Sequence, residues 1–185
     1  MGLLKSGINE VIATTAFNAA PIGIHVRDGN TIMILFPGTH TAENVMRDGW
    51  VVANLIHDPL LYVKTAFDDL PRNAFVEEPV AGKTMCRLKD AEAWVAFTAH
   101  MEKNASGTLR AVLTREKEII ETVAVHPVNR GFSNLIDATV HATRYRENRD
   151  PELKKLIDYH TGIVRKCGGK KEIAALDLLL QYTGE

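Results

Sequence analysis

The apolar residues of this 185-residue chain change their spacing at Asn129, and that change limits what the chain can fold into. Before it they alternate or run in short β-branched blocks, as in strands; after it they recur every three or four residues, as in helices. Strands are predicted over residues 8–16, 22–27, 31–36, 50–56, 93–103, 108–113 and 118–125. Asp28, Gly29 and Asn30 join the second and third as a hairpin. Residues 50–56 are apolar on both faces and so read as a central, buried strand. Asp58 and Pro59 open a helix, Leu60, Val63, Phe67 and Leu70 mark its spacing, and Pro71 ends it. Helices do not alternate regularly with these strands, so a closed or split barrel is expected rather than a parallel α/β sheet.

Beyond Asn129, three helical stripes follow. Phe132, Leu135, Ile136, Thr139 and Val140 form the first. Asp150 and Pro151 open the second, with Leu153, Leu156 and Ile157 inward, and Gly168 and Gly169 separate it from a third carrying Ile173, Leu176, Leu179 and Leu180. The stripes need a surface to cover, on the barrel or on a partner subunit. The chain is therefore divided into a β-barrel domain, 1–127, and a helical C-terminal subdomain, 128–185.

The stretch 36–54 carries the chemistry. A strand ends in Pro37 and Gly38, the residues Thr39, His40 and Thr41 follow, and a short helix starts at about Thr41. The first-turn N–H groups of a helix lack internal partners and sit at the positive end of its dipole, so an anion placed against 38–41 finds donors aimed at it. Thr39 and Thr41 add hydroxyls and Asn44 an amide. Thr41 and Asn44 share one face, while Ala42, Val45 and Met46 are expected to form the buried one. A threonine here also serves simply as an N-cap. Asn54 interrupts an apolar strand, and a buried amide must be tied to neighbouring backbone or turned towards a ligand.

The string Thr41, x, x, Asn44, four residues, Gly49, x, Val51, Val52, x, Asn54 resembles the phosphate-side motif of flavin-reductase-like split barrels. Ala20, Pro21, Ile22, Gly23 and Ile24 resemble their ring-side strand. More widely, the chain resembles a small, mainly archaeal family of uncharacterised FMN-binding split-barrel proteins. The matching segments are Asn9 and Glu10, residues 20–24, the loop 38–44, and Asn54 with Asp58, Pro59, Leu60 and Leu61. Asn129 and Arg130, ahead of a helix that ends in Thr143 and Arg144, complete the match. The resemblance implies an FMN-binding split β-barrel with a C-terminal helical appendage. It also implies a homodimer with flavin near the subunit junction, and electron or hydride transfer through FMN with NADH or NADPH as donor. In that reading Thr39, His40, Thr41 and Asn44, with Gly38, bind the phosphate. Thr15, Ala20, Pro21 and Ile22 line the ring, and Asn54 supports the pocket. The loop holds no Lys or Arg, yet FMN's phosphate carries nearly two negative charges. Arg130, from the same or the neighbouring subunit, is the candidate to meet them. No side chain stands out as a catalytic proton donor or nucleophile. A flavin carrier, store or sensor without turnover shares every binding residue, and a barrel that has lost the cofactor and acts as a dimeric scaffold is a third reading.

Composition narrows the remaining classes. A formal net charge of -1 gives no general attraction to nucleic acid or anionic membrane. Residues 144–171 do hold nine Lys or Arg against four acids, but without an interleaved aromatic platform, so a solvated helical surface is expected and no nucleic-acid partner. Two cysteines, Cys86 and Cys167, lie far apart and outside any CxxC pair, which points to a reducing, cytoplasmic setting. No apolar run is long enough to cross a bilayer, and no N-terminal leader pattern is present. The seven histidines show no metal-ligand spacing, and no metal is expected. GxSxG, P-loop and GxGxxG motifs are absent.

Overall fold

The computed structural model describes residues 2–103 and 108–184, and the chain forms two compact units. The first, residues 1–56 and 70–124, is built on strands β1 (Gly7–Thr15), β2 (Asn18–Arg27), β3 (Asn30–Leu35), β4 (Trp50–Leu55), β7 (Ala93–Lys103) and β8 (Leu109–Ile120), with helix α1 (His40–Asp48) between β3 and β4. The six strands close into a barrel in the order β1-β2-β3-β8-β7-β4, and β4 returns to β1 through the pairs Ile12↔Asn54, Ala13↔Ala53 and Thr14↔Val52. Val11, Ala13, Ile24, Met33, Val51, Ala53, Val95, Phe97 and Ala111 fill its interior.

Local chemistry explains the turns. β2 and β3 join through Asp28 and Gly29, both at positive φ (52° and 79°), the two-residue hairpin turn whose twist matches the flanking strands. A second such hairpin, β5 (Phe75–Val80) and β6 (Lys83–Leu88), turns at Ala81 and Gly82 and was not expected from the sequence. It lies over β1 and β4, fixed by Thr14 Oγ1 donating to the Cys86 carbonyl at 2.6 Å and by Leu88 N–H donating to Asn54 Oδ1 at 2.8 Å. This cover explains why β4 is buried on both faces.

The expected strands 108–113 and 118–125 are one strand. β8 pairs with β7 from Lys103↔Leu109 to Ala93↔Ile120, absorbing one extra residue at a bulge beside Ala96 and Phe97. The charged run 115–118 reads as a loop, but ladder hydrogen bonds are made by backbone and tolerate charges on a solvated face. Past Ile120 the chain is irregular up to Asn129.

The second unit holds residues 57–69 and 125–185: α2 (Pro59–Phe67), α3 (Arg130–Asn148), α4 (Pro151–Cys167) and α5 (Lys170–Thr183). Helix α2, inside the sequence stretch assigned to the barrel domain, thus packs with the C-terminal helices. Its Val63 joins Leu135, Ala138, Ala142, Ile157, Val164, Ala175, Leu176 and Leu179 in one core. The caps are those the sequence named: Asp58 Oδ1 accepts from Leu61 N–H, and Asp150 Oδ1 from Glu152 N–H. Two inward assignments change. Val140 and Leu156 are exposed, because Ala138, Thr139 and Ala142 on α3 and Ile157, Thr161 and Val164 on α4 take the inner stripes. The small residues allow close approach: a Cβ on Gly131 would lie 2.5 Å from Gly168 Cα, so the start of α3 touches the α4–α5 junction backbone to backbone.

Candidate functional site

Helix α1 and the β1–β2 turn come together through side-chain hydrogen bonds. Asn44 Nδ2 donates to Thr15 Oγ1 at 2.9 Å, and Asn18 Nδ2 donates to Thr41 Oγ1 at 3.0 Å. Thr15 and Thr41 are buried, and Asn44 is half-buried. Three of the sequence-named residues therefore form one cluster. Asn18 is the member that sequence reading missed, and no motif marks it. It follows Phe17, held at φ 53° in the turn, where a bulky residue is uncommon.

The loop ahead of α1 is open to solvent from Phe36 to His40. Gly38 sits at φ 81°, a conformation glycine adopts without strain, and a Cβ there would meet nothing within 4 Å. Thr39 is the N-cap: its hydroxyl accepts from Ala42 N–H at 3.3 Å and donates to the Phe36 carbonyl at 2.9 Å. Its side chain is thereby committed to the helix start. The first intrahelical bond is Glu43 N–H to the Thr39 carbonyl, leaving the N–H groups of His40 and Thr41 without a helical partner. His40 is exposed beside them. The buried arc of α1 is Thr41, Ala42 and Val45, so Met46, expected inside, lies at its rim and is 51% exposed.

Ala20, Pro21 and Ile22 lie half-buried in β2 opposite Ala13, Ile12 and Val11. Pairing of β2 with β3 stops at Ile24↔Met33, so this part of β2 has β1 as its one sheet neighbour, a position that tolerates a proline. Asn54, 0% exposed, resolves its two alternatives towards the backbone. Its Nδ2 donates to the Ile12 carbonyl at 2.8 Å, to Thr14 Oγ1 at 3.0 Å and to the Val52 carbonyl at 3.3 Å, while Oδ1 accepts from Leu88 N–H. It clamps β1, β4 and β6. Arg130 belongs to the second unit as the first residue of α3, exposed and in no ion pair among the described residues.

At the far end of α1, a cleft of about 580 Å³ is lined by Phe17, Arg47, Asp48, Trp50, Lys83 and Cys86, among others. Its charges are spoken for. Arg47 pairs with Asp48 at 2.7 Å and its hydrogen bond holds that carboxyl below the usual range, while Lys83 Nζ donates to the Asp48 carbonyl. Burial pushes the Cys86 thiol up, which favours its protonated form. A second cleft, of about 540 Å³, contains none of the candidate cofactor-binding residues named from the sequence, and its Arg115 is paired with Glu118 at 3.2 Å. Among the described residues, no three His, Cys, Asp or Glu side chains gather as metal ligands, and no helix is long and apolar enough to cross a membrane.

Two relatives resemble this chain over nearly its whole length. The FMN-bound protein MM1853 of Methanosarcina mazei is 35% identical, with a TM-score of 0.91 over 96% of both chains. The uncharacterized protein MJ1453 of Methanocaldococcus jannaschii is 25% identical over 187 residues, 94% of this chain and 97% of that protein. The 2-nitrobenzoate 2-nitroreductase NbaA of Pseudomonas fluorescens, 13% identical, shares the fold alone, with a TM-score of 0.50 over 65% of this chain and 68% of that one. The architecture is a split barrel carrying helices, as the sequence led one to expect. The N-terminal domain model of the protein of unknown function DUF447 matches residues 9–122 and its companion model residues 129–181, and the chain belongs to that family.

Proposed function

We propose that this protein binds FMN at the start of α1 and uses it for electron or hydride transfer, with NADH or NADPH as donor. One observation carries the reading: MM1853, described as FMN-bound, matches this chain over 96% of both at 35% identity. The residues present fit such a group. The N–H groups of His40 and Thr41, which have no partner within the helix, the open space beside Gly38 and the positive end of α1 suit a phosphate. The half-buried apolar run of Ala20, Pro21 and Ile22 suits a ring.

Each side chain then has a stated task. The Thr15–Asn44 and Asn18–Thr41 bonds hold α1 against the β1–β2 turn, so the phosphate donors stand at a fixed place relative to β2. Thr39 keeps the first turn closed. Asn54 holds the strands beneath, and Arg130 supplies the missing positive charge. FMN itself supplies the one- and two-electron chemistry, and the protein's part is to bind and orient it. Two free cysteines, one of them buried, agree with a reducing compartment such as the cytoplasm. A homodimer is part of the same reading.

The test is the visible spectrum of the purified protein, followed by anaerobic addition of NADH or NADPH. Bound flavin that bleaches with either donor is expected. Flavin that binds but bleaches with neither leaves a carrier or sensor, and failure to bind added FMN removes the reading.

A further inference from the structure

We infer that the end of the barrel at the β2–β3 turn is a second binding site, one that takes a small carboxylate with an apolar body and holds it on Arg115. The site does not depend on the FMN reading. Its cleft reaches Asn30 and Thr31 at the start of β3, whereas the loop 38–44 follows Leu35 at the end of that strand, about 13 Å of extended chain further on.

Strand register puts the charge there. Pairing of β3 with β8 ends at Ile32↔Val112, and from there β8 continues along β7 alone. Arg115 stands opposite Phe97 and Glu118 opposite Val95, and both Phe97 and Val95 belong to the barrel core. Residues directly opposite one another in an antiparallel pair share a face, so Arg115 and Glu118 occupy interior positions. Strict alternation after Arg115 would bring Lys117 inward and send Glu118 out; the extra residue of the bulge, Glu116, reverses this. Lys117 pairs instead with Glu78 of β5 at 3.5 Å. A bulge that exchanges which charge faces a barrel's interior is a device for aiming side chains, and such bulges gather next to binding sites.

The cleft in front of this pair has a volume of about 540 Å³, inside the roughly 300–1,000 Å³ of ligand pockets. Buried Val95, Phe97 and Leu113 line it, joined by half-buried Leu4 and Val26. An apolar body fits there.

The hydrogen-bonding capacity left over decides the charge of the ligand. Both Glu118 oxygens are used, since Oε1 accepts from Leu3 N–H at 3.1 Å and Oε2 from Arg115 Nη1 at 3.2 Å. Among the described residues this is the one bond of the Arg115 guanidinium, and the side chain is 55% exposed. Four of its five N–H donors remain, in the planar fork that matches a carboxylate. Glu118 thus orients Arg115, and Arg115 has donors to spare. A single guanidinium beside an acid suits a monoanion better than a phosphate dianion, whose second charge would face Glu118 without a cation of its own.

Octanoate is the probe and octanamide its uncharged match, each titrated calorimetrically into the full chain. Wild type is expected to bind octanoate roughly tenfold or more tightly than octanamide, the discrimination that a charge-assisted bond supplies. Arg115→Gln should bring octanoate to the octanamide level. Arg115→Lys keeps the charge and the partner Glu118 but not the fork, and should fall between the two. Thr31→Phe leaves the charges alone and fills the cleft from the interior face of β3, opposite Val26; it should weaken octanoate about tenfold or more. Circular dichroism and melting without probe check that each variant folds, and Arg115 and Thr31 both keep contact with solvent. Wild type that binds neither probe, or binds both equally, overturns the proposal. So does a folded Arg115→Gln or Thr31→Phe variant with wild-type affinity for octanoate. FMN affinity should stay within about twofold of wild type in all three variants, because loop 38–44 is untouched. A chain that takes up no FMN sinks the flavin reading alone, and the octanoate titrations still judge this site.

Discussion

Replacing Asn54 by Ala isolates the clamp that joins β1, β4 and β6. The wild-type amide is 0% exposed, and the substitution leaves the Leu88 N–H without its acceptor and the Ile12 carbonyl without its side-chain donor. Each orphaned buried group costs about 1–3 kcal/mol, and the deleted atoms leave a small void, so a loss of about 3–5 kcal/mol is expected. Against a typical total of about 5–15 kcal/mol this is a large fraction. Asn54→Asp should be no better, since its second oxygen faces the Ile12 and Val52 carbonyls instead of donating to them. Urea unfolding followed by tryptophan fluorescence suits the measurement, because Trp50 and Trp94 both lie buried in the barrel unit and report on it directly. FMN affinity of the folded variant should stay within about threefold of wild type, because every polar group of Asn54 is engaged by protein. A stability loss below about 1 kcal/mol, or a large affinity loss at unchanged stability, would refute the clamp and return Asn54 to the cofactor.

Three further outcomes concern the helical unit. Gly131→Ala should lower its stability by about 2 kcal/mol or more, despite alanine's better helix propensity, because the added carbon meets Gly168 backbone at 2.5 Å; a thermal melt at or above wild type contradicts that close approach. The Tyr182 phenol, pushed up to about 12 by burial and by its hydrogen bond to Asp68, holds its proton above the ordinary value of 10.0, so its contribution is complete below pH 10 and lost as pH rises towards 12; Tyr182→Phe should flatten this alkaline limb, and superimposable profiles would count against it. Burial, and then the neighbouring His160, pull His141 below its ordinary 6.5, so its contribution is complete above that pH and lost as pH falls through the folded value. Urea midpoints at pH 7.5 and 5 should differ for wild type and less for His141→Leu, and equal differences contradict the assignment.

Elements with a strong local signature were legible. The Asp28–Gly29 turn, the Asp58–Pro59 and Asp150–Pro151 helix starts and the change of period at Asn129 each depend on nearby residues, and the structure has them where the sequence put them. What escaped depends on partners distant in sequence. The β5–β6 hairpin has charged, alternating strands, and its place over β4 is set by Asn54 and Thr14. Helix α2 reads as a barrel connection until Val63 is seen beside Leu135 and Leu176. At the candidate site, the spacing of Thr41 and Asn44 put them on one face of α1, and both bond to residues at the β1–β2 turn. Asn18 was not legible, because its bond to Thr41 spans 23 residues and an isolated Asn after a turn has many uses.

The most direct test of the account is FMN titration of the apoprotein, comparing wild type with His40→Glu. The account predicts a yellow complex with one flavin per chain for wild type and an affinity at least tenfold weaker for the variant, since the new carboxylate stands at the start of α1 where the phosphate is placed. Wild-type protein that stays colourless with excess FMN, or equal affinities for the two proteins, would contradict it.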